Sequence, residues 1–232
     1  MCPRPSPVNT EMFTGKADAY ARGRPGYPAP SVDYISTLVR KGAVFADVGA
    51  GTGIFTALIA ERGYEVFGVE PNTDMLEQLT ATLSPYPHAT AVPGTAEATT
   101  LPDHSVDVIT CAQALHWFDP DVFRTECRRI GVPGALVIAI YNVTPGGTSA
   151  THSRSSTEKF FTRPMFREFP NPIFHTRQTW VQYMTSHSEN PLPSDPTYDA
   201  HLADVNARFD RENVDGLLRQ DITTRVYSER LT

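Results

Sequence analysis

Three cysteines are all that the 232 residues contain, and Cys2, Cys111 and Cys127 form no C-x-x-C pair. That shortage excludes a disulfide framework and a structural zinc site, and it points to a reducing compartment. Long apolar runs are missing too: stretches such as Ala135 to Tyr141 fall far short of the ~20 residues that a membrane helix needs. No membrane partner is expected. No apolar stretch follows the early Arg4, so the N-terminus does not read as a secretory signal, and cytoplasmic is the expected location. Runs of Lys or Arg are absent as well. With a net charge of −6 the field of the molecule repels polyphosphate, which argues against a nucleic-acid partner. The seven His residues are scattered with no H-x-x-x-H spacing, so no metal is expected.

What is present is an ordinary soluble balance, 40% hydrophobic and 20% charged, on a chain long enough to build a core unaided. VFADV (44–48) reads as a strand, GAGTG as a tight turn, and Ile54, Leu58 and Ile59 fall at helical spacing before Gly63. YEVFGVE (64–70) reads as a second strand, stopped by Pro71; a helix follows from Thr73, with Met75, Leu76, Leu79 and Leu83 on one face. ATAVPG is a third strand, VDVITCAQA a fourth, and the helix opening near Pro120 leads to ALVIAIY (135–141), apolar throughout like a strand covered on both faces. This alternation predicts a doubly wound, seven-stranded, mainly parallel α/β sheet with a helical lid inserted after the fifth strand.

After Tyr141 the composition changes to a Gly, Ser and Thr-rich stretch, read as a mobile loop. FFTRPMFREF, WVQYMTSHS and the stretch from Thr197 to Leu218 read as helices, PIFHTRQ as the sixth strand and DITTRVYSERL as the seventh. The expected organisation is one domain over 1–232, with an N-terminal lid element (13–28), a core (40–141), a substrate lid (142–220) and a C-terminal strand (221–232).

A glycine turn between strand and helix holds a ligand at the helix N-terminus, and its details separate the candidates. A dinucleotide site wants G-x-G-x-x-G, but the position of the third glycine is Ile54. No Gly-Lys-Ser/Thr follows either, so both phosphate-binding patterns fail. Asp47 at the end of the first strand would repel pyrophosphate and suits a ligand with positive charge. S-adenosylmethionine is such a ligand, with an ammonium, a sulfonium and a ribose diol. The acid that grips a ribose diol should end the second strand about 20 residues on, and Glu70 stands 23 residues after Asp47.

DVGAGTG (47–53), Glu70, GTAE (94–97) and AQALHWFD (112–119) together resemble the class I S-adenosylmethionine-dependent methyltransferases of the type 11 kind. FTGKADAYARGRPGYP (13–28), SHSENP and TTRVYSERL extend the resemblance to the small-molecule branch that includes trans-aconitate methyltransferases. The resemblance implies S-adenosylmethionine as cofactor, with Asp47, Gly49, Ala50 and Gly51 at its methionine half and Glu70 on its ribose. Asn72 and Met75 would flank the adenine, with Met75 equally suited to plain packing, and Thr95, Ala96 and Glu97 would lie along the adenine edge. Gln113 would stand beside the departing methyl. Trp117 would either cover the sulfonium or anchor the helix to the sheet, and Tyr20 and Arg24 would close over the cofactor's carboxylate.

The implied activity is methyl transfer to an O, N or S atom of a small metabolite, by a monomer or weak homodimer. His116 is the candidate base, or a pocket wall, and Tyr141 the candidate for orienting the acceptor. Two other readings compete: a lipid or quinone methyltransferase, which calls for a more apolar lid than TSATHSRSST, and a cofactor-binding regulatory protein without transfer. The fourth strand lacks an N-P-P-Y or D-P-P-Y element, which argues against DNA and protein-glutamine acceptors.

Overall fold

A computed structural model of the chain describes residues 25–144, 148–186 and 190–232. Helix α1 (Ala29–Leu38) leads into β1 (Val44–Val48), α2 (Ile54–Ala60), β2 (Glu65–Glu70), α3 (Thr73–Leu83), β3 (Ala89–Pro93) and β4 (Val106–Ala112). A 3-10 turn (Leu115–Trp117), α4 (Pro120–Ile130) and β5 (Gly131–Val143) complete the first half. The second half contains α5 (Thr148–Phe160), β6 (Met165–Pro170), β7 (Ile173–His175), α6 (Arg177–Thr185), α7 (Tyr198–Glu212), β8 (Leu218–Gln220) and β9 (Thr223–Arg230). Seven strands form one sheet in the order β3-β2-β1-β4-β5-β9-β6, with β9 antiparallel to β5 and β6 and the other pairings parallel. This is the doubly wound, mainly parallel sheet that the alternation of elements predicts.

The sheet is apolar on both faces because helices cover both. Val32 and Ile35 of α1 and Phe55 and Ile59 of α2 pack on Phe45, Val66, Ile138 and Ile140. On the opposite face Phe123, Cys127 and Ile130 of α4, with Phe160 of α5, cover Ile109, Val137 and Tyr141. Helix starts are capped as their residues suggest: Asn72 accepts the Met75 N–H, and Asp119, ahead of Pro120, accepts from Asp121 and Val122. Cys111 and Cys127 are buried free thiols. No described helix is long and apolar enough to cross a membrane.

The second half departs from the sequence expectation in four places. FFTRPMFREF is no helix: Phe160 and Phe161 close α5, Pro164 bars its continuation, and Met165–Pro170 pairs with β9 as the sixth strand of the sheet. PIFHTRQ supplies only the three residues of β7, which pair with β8 in a separate small sheet. The helix expected through Leu218 ends at Glu212, and Leu218–Gln220 is β8. The stretch read as a mobile loop becomes helical at Thr148, in a helix that runs on to Phe160. Its buried side includes Ser153 and Thr157 as well as Phe160, and the Thr157 hydroxyl donates to the Ser153 carbonyl at 2.6 Å. A helix face that buries small hydroxyl residues in this way carries little apolar periodicity to read.

α5 therefore belongs to the core, and β6 to the main sheet. Outside them, α6, α7 and β8 build a satellite cluster of Trp180, Tyr183, Val205, Phe209 and Leu218. That cluster stands over the ends of β1, β4 and β5, where the site lies.

Candidate functional site

The turn after β1 is held by backbone and by one acid. The N–H groups of Gly49 and Ala50 both donate to the Val69 carbonyl, at 2.9 and 3.0 Å. The next N–H, of Gly51, donates to Glu70 Oε2 at 2.8 Å, and Glu70 Oε1 accepts from the Asn72 N–H at 3.0 Å. Glu70 thus ties the glycine turn to the start of α3. Gly49 and Gly51 have φ of +71° and +58°, a conformation that glycine enters without the Cβ penalty. A Cβ on Gly49 would also fall 2.8 Å from Ala114 Cβ, so the turn is packed from beneath.

Asp47 lies behind this turn with 0% exposure. Its two oxygens accept from Thr56 Oγ1 at 2.6 Å and Thr110 Oγ1 at 2.8 Å. Burial pushes its carboxyl up to about 6, the two threonine hydroxyls pull it back, and Glu70 adds a repulsive push. Burial pushes the Glu70 carboxyl upward too, while the Asn72 and Gly51 N–H groups pull it down.

In front of the turn is a cavity of about 310 Å³, at the small end of the range for ligand sites. Gly49, Ala50, Gly51, Thr52 and Gln113 form one side, Tyr27, Asn142 and Thr144 another, and Trp180, Tyr183, Met184, Arg208 and Gln220 the wall on the satellite cluster. Gln113 is held in the left-handed region, φ 58°. Its N–H donates to the Ile140 carbonyl at 2.8 Å and its Nε2 to the Asn142 carbonyl at 3.0 Å. These two bonds from β5 hold a backbone conformation that a non-glycine residue adopts only at a cost.

The structure separates the expected site residues into groups. Gly49, Ala50, Gly51 and Gln113 line the cavity. Glu70, Asn72 and the turn Thr95–Glu97 lie beyond the glycine turn, where the Gly94 N–H donates to the Glu70 carbonyl at 3.5 Å and the Thr95 hydroxyl accepts the Glu97 N–H at 3.2 Å. Ala96 is buried at this turn, and Met75 is buried in α3. His116, Trp117 and Tyr141 are absent from the cavity lining. The His116 ring packs 4.8 Å from Trp117 and 6.2 Å from Tyr141. Tyr141 is buried, its hydroxyl 2.7 Å from Ser156 Oγ, and burial pushes its phenol upward. Tyr20 and Arg24 lie outside the described residues. Among the described residues no cluster of His, Cys, Asp or Glu could hold a metal ion.

Residues 46–139, the stretch that contains the turn, Glu70, Gln113 and β5 to Ala139, match the family profile of a methyltransferase domain. This stretch is similar to methyltransferase domains, and the chain shares their fold. Across 130 residues the chain is 39% identical to an uncharacterised methyltransferase of Mycobacterium tuberculosis, a match covering 56% of this chain and 51% of that protein. An uncharacterised methyltransferase-like protein of Schizosaccharomyces pombe is 32% identical over 138 residues, 58% of this chain and 53% of its own. The chain thus spans about half the length of the curated relatives it matches. A solved structure assigned as a type II methyltransferase, from Anaeromyxobacter dehalogenans, superposes with a TM-score of 0.61 at 24% identity, covering 90% of this chain and 98% of that one. Geranyl diphosphate C-methyltransferase of Streptomyces coelicolor, solved with Mg²⁺, geranyl diphosphate and S-adenosyl-L-homocysteine, shares the fold at a TM-score of 0.52 and 12% identity, covering 88% and 79%.

Around this core, the cavity also draws on residues that no motif marks. Trp180, Tyr183, Arg208 and Gln220 reach it from α6, α7 and β8, elements whose order along the chain carries no spacing signal. Asn142, one residue past the apolar run of β5, was legible only as the end of a strand.

Proposed function

We propose that this protein transfers a methyl group from S-adenosylmethionine to an O, N or S atom of a small metabolite. The observation that carries the reading is the Glu70 carboxylate locked to the N–H of Gly51, which lines a cavity bounded by Gly49–Thr52 and Gln113.

The residues fit that cofactor. A carboxylate has about four acceptor positions, and Glu70 uses two of them on the Gly51 and Asn72 N–H groups. The others are left for a ribose diol. The cavity wall at Gly49–Gly51 is bare of side-chain bulk, so a methionine moiety can lie against backbone. Asp47 is too deeply buried to touch a ligand, and acts by supporting the turn and by placing an acid behind a site for a cationic ligand. When bound, the cofactor supplies a methyl already activated on a sulfonium.

The chain has then to orient the acceptor and exclude water, and positioning alone can contribute ~7 to 11 kcal/mol. Gln113, fixed by its two bonds to β5, holds the lip where the acceptor approaches. The satellite wall of Trp180, Tyr183 and Met184 closes the cavity from solvent. Among the described residues the lining includes no Asp, Glu, His, Lys or Cys. An acceptor that is nucleophilic as it arrives needs no base from this wall. Asn142, Thr144, Arg208 and Gln220 give the wall polar character, which supports a polar metabolite over a lipid or quinone.

Calorimetry with S-adenosylhomocysteine, followed by its release in turnover with a panel of small acceptors, tests the reading. Binding and turnover are expected. Absence of cofactor binding by the wild type would overturn it, and binding without transfer to any acceptor would favour a regulatory protein.

A further inference from the structure

We infer that Arg208 forms an anion-binding subsite at the cavity mouth, and that it selects acceptors carrying an anionic group. This deepens the proposed function and rests on it. Arg208 is the only charged residue among the described residues that line the cavity. Two anions could meet this guanidinium: the carboxylate of the cofactor, for which the resemblance already implies Tyr20 and Arg24, and an acidic group on the acceptor, which has no other cationic partner among the described lining residues.

The side chain is also held in place. Its guanidinium carbon lies 4.9 Å from the centre of the Trp180 ring, and the Trp180 indole is itself buried and fixed by donating to the Val205 carbonyl at 2.9 Å. Glu212, one turn further along α7, accepts from Arg208 Nε at 3.1 and 3.0 Å. That pairing uses Nε alone. Among the described residues no group accepts from the Nη atoms, so their N–H groups remain available in the planar, forked arrangement that suits a carboxylate or another oxyanion. Glu212 offsets part of the charge, yet it also fixes the plane of the fork, which lowers the entropy lost on binding. With about half of its side chain exposed (45%), Arg208 stands where a ligand enters. Gln113 and the glycine turn line the same cavity, so an anion held at Arg208 can leave the rest of the acceptor within it.

The remaining polar lining residues, Asn142, Thr144, Ser149, Tyr183 and Gln220 among them, are uncharged and can hydrogen-bond a neutral metabolite as well as an acid. The difference between an acid and its amide is therefore read by one residue. Losing the charge-assisted hydrogen bonds of one guanidinium is expected to weaken acceptor binding by about 10- to 100-fold.

The test uses protein loaded with S-adenosylhomocysteine, titrated calorimetrically with benzoate, citrate and benzamide, and turnover measured on paired small acids and their primary amides. For the wild type we expect at least one acid to bind about 10- to 100-fold more tightly than its amide, and to turn over with a kcat/KM higher by the same factor. Arg208→Gln should raise the acid's dissociation constant and KM by about 10- to 100-fold with kcat changed little, and Arg208→Lys should recover part of the loss. Affinity for S-adenosylhomocysteine should be unchanged in both variants. Equal affinity for acids and amides, absence of any acid binding by the loaded wild type, or an Arg208→Gln variant that binds acids like the wild type would overturn the subsite. Loss of S-adenosylhomocysteine binding in the wild type would instead overturn the proposed function beneath it.

Discussion

Asp47→Asn removes one charge and almost no volume at the most buried carboxylate of the site, and its effect should depend on pH in a calculable way. The carboxyl ordinarily titrates near 3.8, and burial in the fold pushes it to about 6. Between those values the folded protein retains a proton that the unfolded chain has released, so stability falls as pH rises through this window. The contribution is fully present below pH ~4 and lost above pH ~6. Each pH unit of displacement is worth about 1.4 kcal/mol, which makes the whole effect about 3 kcal/mol and the part between pH 5 and pH 8 roughly 1 to 2 kcal/mol. The amide stays neutral throughout, keeps one acceptor oxygen, and can donate its N–H to the hydroxyl of Thr56 or Thr110, each of which accepts as readily as it donates. Urea unfolding of both proteins at pH 5 and pH 8 is the assay. On passing from pH 5 to pH 8 the wild type should lose roughly 1 to 2 kcal/mol more than the variant does. Glu70 is raised in the same direction, chiefly by its own burial; that part is common to both proteins and cancels, while its repulsion with Asp47 is counted within the Asp47 effect. Parallel pH dependence of the two would refute the reasoning, because it would mean that Asp47 ionises in the fold as easily as in water.

Gly51→Val should abolish S-adenosylhomocysteine binding, since a β-branched side chain both resists φ of +58° and fills the ligand's side of the turn; unchanged affinity by calorimetry would contradict this. Glu70→Ala should weaken cofactor binding by about 1 to 3 kcal/mol and also lower stability, because the Gly51 and Asn72 N–H groups lose their acceptor; normal stability would show that water replaces the carboxylate without loss. His116→Asn should keep kcat within a few-fold of wild type, because the ring faces Trp117 and Tyr141 and not the cavity; a fall of about a hundredfold with intact cofactor binding would restore it as a base. Trp180→Ala should remove about 3 to 5 kcal/mol from the satellite cluster, raising hydrogen exchange in α6 and α7 while β1 to β5 keep their protection; uniform loss across the sheet would show a single cooperative core.

Local order explains why one half of the molecule is legible and the other is not. In the first half each strand, turn and helix is adjacent in sequence to its structural neighbour, so the strand VFADV, the glycines at 49, 51 and 53 and the acid at 70 can be read as one unit. The Glu70 to Gly51 bond is formed between groups whose spacing the chain already sets. In the second half the signals compete. Met165–Pro170 has a helical composition behind it, and only pairing with β9, some sixty residues later, makes it an edge strand. Ser153 and Thr157 bury a polar helix face that no hydropathy pattern announces.

By itself, then, the sequence determined the doubly wound sheet, the glycine turn and the acid that braces it, because a turn needing positive φ and a strand covered on both faces leave residue types that no other local structure explains. Only the tertiary structure decided which side chains face the cavity. It sealed Asp47 behind Thr56 and Thr110, turned Tyr141 to Ser156 of α5 and packed His116 against Trp117 and Tyr141, and brought Arg208 from α7 to the cavity. Those outcomes depend on how separately folded elements pack against one another, and packing is decided by shape and burial across long sequence separations, which periodicity along the chain does not record.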